Sequence, residues 1–372
     1  MVLNMKNNYL ILSNSLAHGG GERIAANIIN GLNADNESVA AFIIENEISY
    51  HIDSGIKVYT QPVKVRVPVI GKLINNAAAL IYLIYIIKKK NINVVISHLF
   101  RANYLNVISS CVTGHKAIIT THGSVRKYMN GGFLSKINLF LIKTLFKKAD
   151  KKVFLTERMK EDYIPYVGAN NNFVIPNCYD LNSIEVSSFE VVSDNPFNDH
   201  DYFIFVGRFH PVKRVDLILD VVSKLNVNLL LLGDGEAYEK LSHQYSSKNI
   251  AFLGSRANPY PYIKSAKAII LASESEGFPN VIVEALALGV PVISSDCRTG
   301  PREILKIPLS MSFEHILKLP YAGIFHVNDH CGLKSLLEWM FEVNVDKKIC
   351  KNLVADYGIS NIIKQYKKLS SI

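Results

Sequence analysis

Between Asp53 and Asp150 the chain has no aspartate or glutamate, while fifteen lysines and arginines fall in the same stretch. The net charge of +9 is unevenly spread: residues 1–185 hold 21 Lys/Arg against 12 Asp/Glu, and residues 186–372 hold 20 against 20. The whole excess lies in the first half, and so long an acid-free stretch implies a negatively charged partner. Cysteine is also sparse. The five, Cys111, Cys178, Cys297, Cys331 and Cys350, show no metal-like or redox-like pairing, which fits a reducing cytoplasm and packing roles. No apolar run spans a bilayer comfortably: the longest, Leu73 to Ile87, contains Asn75 and Asn76 and ends in Lys88-Lys89-Lys90. A buried crossover helix is expected there. Met1 to Leu12 has one lysine and only a strand-length apolar run, so no secretory leader is expected.

What is present is an alternation of strand and helix. Strands are predicted at Tyr9–Leu12, Val39–Ile44, Val94–Ser97, Ala117–Thr121, Lys152–Leu155 and Phe173–Ile175. A second series follows at Tyr202–Val206, Leu229–Leu232, Ile250–Gly254, Ala268–Leu271, Val290–Ser294 and Gly323–Val327. Helical patterns between them argue for an α/β protein with parallel sheets and right-handed crossovers. The length suits two domains, and the polar, irregular reading of Leu181–Asp201 marks their boundary, giving residues 1–183 and 184–356.

Polar groups recur at the strand ends. Gly19-Gly20-Gly21 before a helix from Glu22 to Leu32 puts flexible backbone where N–H groups could approach a phosphate or sugar. The dinucleotide fingerprint spacing is missing, and a plain tight turn is the other reading. His122 directly follows a strand. Arg208 and Lys213 share a strand-to-helix loop, where a planar fork and a compact charge can converge on one anion. Gly233-Asp234-Gly235 is a further strand-end turn.

The most informative stretch is Ser273 to Leu305. A strand, the turn Glu276-Gly277-Phe278-Pro279-Asn280, a helix over Val281–Leu288 closed by Gly289, and another strand form one unit of a parallel sheet. Ligands sit outside the carboxyl ends of such strands. Glu276 and Glu284 therefore flank a helix N-terminus that suits an anionic ligand.

Glu276 and Glu284 with seven residues between them, Ala-x-Gly-x-Pro-Val, Gly300-Pro301-Arg302-Glu303 and the Gly207-Arg208…Lys213 loop together resemble the retaining glycosyltransferases of family 4. The resemblance implies the GT-B fold: two Rossmann-like parallel-sheet domains facing across a cleft, with the last helix, about 357–372, crossing back onto the first. It implies an acceptor-binding N-terminal domain and a nucleotide-sugar-binding C-terminal domain. Arg208 and Lys213 then meet the donor diphosphate, helped by N–H groups around Phe278, Pro279, Asn280 and Val281. Glu284 accepts the ribose hydroxyls, Glu276 grips the sugar, and Gly233 and Gly235 lie beside the nucleotide. Gly20 and Gly21 face the donor diphosphate, and His122 matches the family's cleft histidine; a satisfied structural histidine is the other reading. Catalytic roles fall to Glu276, His122, Arg208 and Lys213. Retention follows from the resemblance alone.

No divalent metal is expected, since the basic loop can meet the leaving-group charge. Asp199-His200-Asp201 has the Asp-x-Asp pattern by which another transferase fold, GT-A, holds a metal, but it precedes a strand and lies in the linker. The favoured donor is a UDP-linked hexose or N-acetylhexosamine, with GDP-mannose or GDP-fucose in reserve. The expected acceptor is a polyprenyl-diphosphate-linked saccharide in bacterial surface glycan assembly. A nucleotide-sugar epimerase is the alternative within the architecture. Outside enzymes, a basic nucleic-acid-binding protein would explain the first half but not the motif-bearing second half, and the aromatic-basic motifs of RNA modules are missing. Leu134–Lys148 carries Lys136, Lys143 and Lys147 at helical spacing, with Lys148, Lys151 and Lys152 just after. It suits an anionic membrane surface, as on the cytoplasmic face of a cell membrane, or an ordinary domain helix with a solvated lysine edge.

Overall fold

The computed structural model describes residues 7–17, 19–62, 64–65, 70–129, 131–198 and 200–371. The chain divides into two compact units, Met1–Tyr179 with Tyr357–Ile372, and Asp180–Asp356.

The first unit runs β1 (Asn8–Ser13), α1 (Gly20–Ala34), β2 (Ser38–Ile43), β3 (Lys57–Thr60), α2 (Ile70–Lys89), β4 (Val94–His98), α3 (Phe100–Thr113) and β5 (Lys116–Thr121). It continues with α4 (Phe133–Leu145), β6 (Lys151–Phe154), α5 (Glu157–Val167) and β7 (Asn172–Val174). Seven parallel strands pair in the order β3-β2-β1-β4-β5-β6-β7. Strands such as β4 are buried along their whole length because helices cover both sides of the sheet, and the run Val94–Ile96 is apolar on both faces. Leu10, Leu12, Phe42, Leu83 and Val95 lie in one such layer. The order reverses between β1 and β4, the crevice where ligands bind in open α/β sheets.

The second unit runs α6 (Leu181–Ser187), β8 (Tyr202–Val206), α7 (Val215–Val222), β9 (Asn228–Leu232), α8 (Tyr238–Tyr245), β10 (Ile250–Gly254), α9 (Tyr260–Lys264) and β11 (Ala268–Leu271). Then come α10 (Asn280–Ala287), β12 (Val292–Ser295), α11 (Pro301–Ile304), β13 (Ile316–Leu319), β14 (Ala322–Phe325), α12 (His330–Glu342) and α13 (Lys347–Val354). The sheet order is β10-β9-β8-β11-β12-β14-β13, parallel except for the β13–β14 pair. Phe203, Leu229, Leu231, Ile270 and Leu336 fill its core. Here the order reverses between β8 and β11. The last helix, α14 (Ile359–Ser371), belongs to the first unit and packs on α1.

Several elements differ from the sequence reading. Gly20 and Gly21 open α1 rather than preceding it; at a helix start their N–H groups need no intrahelical partner, so glycine costs little there. Leu181–Asp201 is not irregular throughout, because Asp180 caps α6 by accepting from the Ser183 N–H at 2.9 Å. Asp199 lies outside the described residues. Leu73–Ile87 is helical within α2, but only part of it is buried. Ala79, Leu83, Ile86 and Ile87 face the core while Leu73, Ile74, Ile81 and Tyr85 are exposed. Lys151 and Lys152 are buried in β6, the Lys151 ammonium lying 5.3 Å from the Phe173 ring centroid, so neither belongs to a solvated basic edge.

Candidate active site

In the second unit, β8 and β11 are neighbours, paired Phe203 to Ala268, so the loops that leave their carboxyl ends run side by side. The Glu274 N–H donates to the Val212 carbonyl at 2.9 Å, clasping one loop to the other. That clasp brings Lys213 to Glu276: the ammonium donates to the carboxylate at 2.6 Å. The Ser273 hydroxyl donates to the same oxygen, also at 2.6 Å. Ser273 is fully buried, and the Glu276 side chain is 10% exposed against 25% for Lys213, so both charges keep an opening to solvent. The Thr299 hydroxyl donates to the Glu276 carbonyl. Gly300, with φ +100, packs on Pro279, where a Cβ would collide with the proline ring. The loop between β11 and α10 is therefore held from both sides.

Pro279 caps α10 without a side-chain hydrogen bond to the helix start. Val281 follows as the second residue of the helix. Glu284 is its fifth residue, one turn in, and is almost fully buried at 2% exposure. Phe278 is buried at the loop. Arg208 is exposed, and among the described residues its guanidinium has no hydrogen bond or ion pair; the structure does not bring it onto Glu276 with Lys213. Arg214 turns inward instead. Held at φ +50, it reaches Asp216 and Glu274, each at 3.2 Å, and Asn328, bracing the loop. Gly233, at φ +133, ends β9 so close to the Gly207 carbonyl that any Cβ would overlap it, and Phe209 N–H donates to the Asp234 carbonyl at 2.9 Å. The Gly233-Asp234-Gly235 turn thus lies directly on the Gly207-Arg208-Phe209 turn.

In the first unit, β4 pairs with β5, and His98 at the end of one lies beside His122 just past the other. His98 Nδ1 and His122 Nε2 are 2.8 Å apart. His98 is fully buried and half-buried His122 lies against α1: a Cβ on Gly21 would sit 3.1 Å from its ring. Desolvation lowers His122 to about 4 and drives His98 well below the usual histidine value, so both rings are neutral near pH 7. Ser273, Thr299 and His98 escaped the sequence reading. Ser273 directly follows an apolar run and His98 ends one, which was the available signal; Thr299 has no such signal, and only the folded chain shows each one's partner. Elsewhere in this unit a pocket of about 480 Å³ opens at the carboxyl ends of β2 and β3, lined by Glu45, Asn46, Glu47, Gln61, Asn76 and Arg101 among others. Arg101 donates to Glu45 at 2.7 Å and to Asn76 at 2.6 Å, and the buried Gln61 amide oxygen has no hydrogen-bond partner among the described residues.

On α4 only Ile142 is fully buried, whereas Phe133, Leu134, Ile137 and Phe140 are exposed, at 76%, 75%, 39% and 64%. Lys136, Lys143, Lys147 and Lys148 are exposed beside them. Among the described residues no helix is long and apolar enough to cross a membrane, and no three His, Cys, Asp or Glu side chains are grouped to hold a metal ion.

Two Rossmann-like units, each with polar loops gathered where its strand order reverses, make the GT-B architecture of glycosyltransferases. The chain belongs to that enzyme class: residues 18–183 match the Glycosyltransferase Family 4 model and residues 189–307 the Glycosyl transferases group 1 model. It is 25% identical over 300 residues to N-acetylgalactosamine-N,N'-diacetylbacillosaminyl-diphospho-undecaprenol 4-alpha-N-acetylgalactosaminyltransferase of Campylobacter jejuni, covering 78% of this chain and 81% of that one. A second C. jejuni transferase, which adds α-1,4-N-acetyl-D-galactosamine to a diphospho-undecaprenol saccharide by its name, is 25% identical over 378 residues, covering 98% of each. An uncharacterized glycosyltransferase of Methanocaldococcus jannaschii is 30% identical over 237 residues, which span 60% of this chain and 58% of the relative. Among solved structures, Anabaena HepE in complex with UDP superposes with a TM-score of 0.75 at 18% identity, covering 98% of this chain and 100% of that one. The lipopolysaccharide galactosyltransferase WaaB, in its apo form, gives 0.71 at 18% identity, covering 97% and 98%. These two likenesses carry the fold.

Proposed function

We propose that this glycosyltransferase works with retention, moving a hexose or N-acetylhexosamine from a UDP-sugar to a lipid-linked saccharide in bacterial surface glycan assembly. The observation that carries the proposal is the Lys213–Glu276 pair, seated beside the start of α10 where the second sheet reverses its order. As the anomeric bond breaks, negative charge develops on the departing diphosphate, and a preorganised cation at that point lowers the barrier. Lys213 and the exposed guanidinium of Arg208 are the cations to hand, and the N-terminal dipole of α10 adds to them. Glu276, held by Ser273 and Lys213, keeps the acceptor capacity to take sugar hydroxyls. Glu284 is read as the ribose ligand. The names of the two C. jejuni relatives support an N-acetylhexosamine and a polyprenyl diphosphate acceptor, and UDP in HepE supports the nucleotide. The polar pocket after β2 and β3 has the amides, carboxylates and arginine that bind saccharides, which supports the first unit as the acceptor side. Turnover of a panel of UDP- and GDP-sugars on a lipid-diphosphate saccharide, followed by mass spectrometry, tests the assignment. Transfer from GDP-mannose or GDP-fucose alone would replace the donor, and interconversion of the free nucleotide sugar without transfer would make the protein an epimerase.

Two expectations accompany it. Replacing Glu284 by alanine removes a charge-assisted acceptor and is expected to weaken UDP binding by about 1.5–3 kcal/mol in calorimetry; unchanged affinity would leave Glu284 a structural residue. Transfer is expected to continue in EDTA, since the leaving-group charge is met by Arg208 and Lys213. Activity that EDTA abolishes and only Mg²⁺ or Mn²⁺ restores would refute this.

We also assign α4 to the anionic, inner face of the cell membrane, with the protein held peripherally in the cytoplasm. A solvated domain helix would expose its lysines, but here four large apolar residues stand exposed among them, the pattern of an interfacial helix. Vesicles with anionic lipid should sediment the protein and release it as salt rises, each interfacial lysine contributing roughly 1 kcal/mol. Changing Lys136, Lys143, Lys147 and Lys148 to glutamine should weaken binding without affecting donor hydrolysis, and so should Phe133 and Phe140 to serine. Equal sedimentation with neutral and anionic vesicles would overturn the assignment.

A further inference from the structure

We infer that His98 is a positioning residue: buried beneath His122, it donates from Nδ1 to His122 Nε2, and so fixes His122 as the tautomer that presents an Nδ1–H to the ligand. The inference rests on the reading of His122 as a sugar- or phosphate-facing group. His98 has no solvent exposure, and its second ring nitrogen, Nε2, has no hydrogen-bond partner among the described residues. A neutral imidazole carries one N–H and one lone pair. Were the proton on Nε2, a buried N–H would have no acceptor; on Nδ1, only a lone pair goes unmatched. Orphaned buried N–H groups are the rarer case, so the proton belongs on Nδ1, 2.8 Å from His122 Nε2. His122 Nε2 must then accept, which leaves its own proton on Nδ1.

The surroundings agree with that direction. His122 Nδ1 makes no hydrogen bond among the described residues, and it lies at the edge of the ring nearest α1, where a Cβ on Gly21 would be 3.3 Å away. Glycine there leaves the room that a ligand oxygen needs in order to reach Nδ1–H. The backbone is strained to hold the pair: Leu99, the residue after His98, has φ +72 and ψ 156, a region that side chains other than glycine rarely enter. Such strain persists only where the surrounding structure over-determines it, and here it turns the chain sharply from β4 into α3 with His98 at the inner corner.

The test is NMR of the full-length protein with labelled histidine ring nitrogens, combined with kinetics of three variants. In the wild type, Nδ1 of both His98 and His122 should carry the proton. His98→Leu removes the donor along with the unpaired nitrogen; His122 should shift toward Nε2–H, and kcat/KM should fall about 10- to 100-fold, the scale known for partners that orient metal-bound histidines. His98→Asn places an amide N–H close to the position of the imidazole Nδ1 and should restore both the tautomer and most of the rate. A proton on His122 Nε2 in the wild type overturns the inference, even if His98→Leu fails to fold. So does a folded His98→Leu protein whose His122 tautomer and rate are unchanged. If the tautomers are as assigned but His122→Ala loses no activity, the pair stands and the ligand-facing reading of His122 fails.

Discussion

Lys213→Ala is expected to lower the rate of sugar transfer about a hundred- to a thousandfold, the usual effect of removing one preorganised charge donor from a developing anion. Arg208→Ala should fall in the same range. If both cations act on one diphosphate, the double variant should lose less than the product of the single losses, because groups that work as a unit are not additive. The two differ in their effect on folding. Arg208 is exposed, and its guanidinium has no partner among the described residues, so its removal should leave the melting temperature unchanged. Lys213 neutralises Glu276, so its loss leaves a mostly buried carboxylate with Ser273 as its remaining side-chain donor among the described residues. Losing a hydrogen bond to a charged group costs about 1.5–3 kcal/mol, a drop of several degrees for a unit of this size. Lys213→Ala measured in a Glu276→Gln background separates the two roles: the stability loss should shrink while the rate loss remains. Strictly multiplicative losses for Arg208 and Lys213, or a stability collapse on losing Arg208, would refute the shared diphosphate.

The parts legible in the sequence were those where one local signal decides the structure. Tyr202–Val206, Ile250–Gly254 and Ala268–Leu271 are short apolar runs bounded by turn residues, and each is a strand over that same span. Glu276 and Glu284 were legible because a loop and the helix after it fix their separation. Two of the edge strands, β3 and β13, were not legible. Lys57–Thr60 has no buried residue and Ile316–Leu319 none, since an edge strand packs on one side only, so neither reads as an apolar run. Long-range partners were hidden for a different reason. Lys213 and Glu276 are 63 residues apart, and they meet because β8 and β11 pair in the middle of the sheet. His98 and His122 meet through the β4–β5 pair in the same way. Strand order is a property of the whole sheet, and no window of sequence contains it. The burial of Lys151 and Lys152 was likewise invisible. Adjacent lysines read as surface until β6 is placed between β5 and β7, which puts both residues under cover.

Ending the chain before α14 should unfold the first unit. Ile362, Ile363, Tyr366 and Leu369 are buried on one side of this helix. At about 1.5–3 kcal/mol for each large apolar side chain, their burial contributes on the order of 6–12 kcal/mol, an upper estimate because the unfolded chain already hides part of that surface. That sum is comparable to the whole stability of an ordinary domain. The fit to α1 is close. Gly31 sits under the helix, and a Cβ there would lie 2.5 Å from Ile359 and 2.8 Å from Ile363. Polar ties add direction: Lys116 donates to the Ser370 carbonyl at 2.7 Å, Lys367 pairs with Glu37 at 2.8 Å and with Asp35, and the Tyr366 hydroxyl meets Thr120 at 3.1 Å. The Tyr366 contact braces β5 two residues before His122, so the helix that completes the core also steadies the strand that presents this histidine. The returning chain enters through a parallel bridge between Tyr179 and Gly358, with the Ile359 N–H donating to the Tyr179 carbonyl at 3.1 Å. A chain stopped after Asp356 should therefore lose amide-exchange protection in β1, β4 and β5. Protection in β8, β9 and β11 should persist, because the second unit keeps its own core. Tyr366→Ala is the graded form, expected to cost about 3–5 kcal/mol as for other large aromatic truncations in cores. Gly31→Leu, which forces α14 away from α1 without shortening the chain, should reproduce the same loss of protection. A truncated protein that exchanges its β5 amides as slowly as the full chain would show that α14 is dispensable to the first unit.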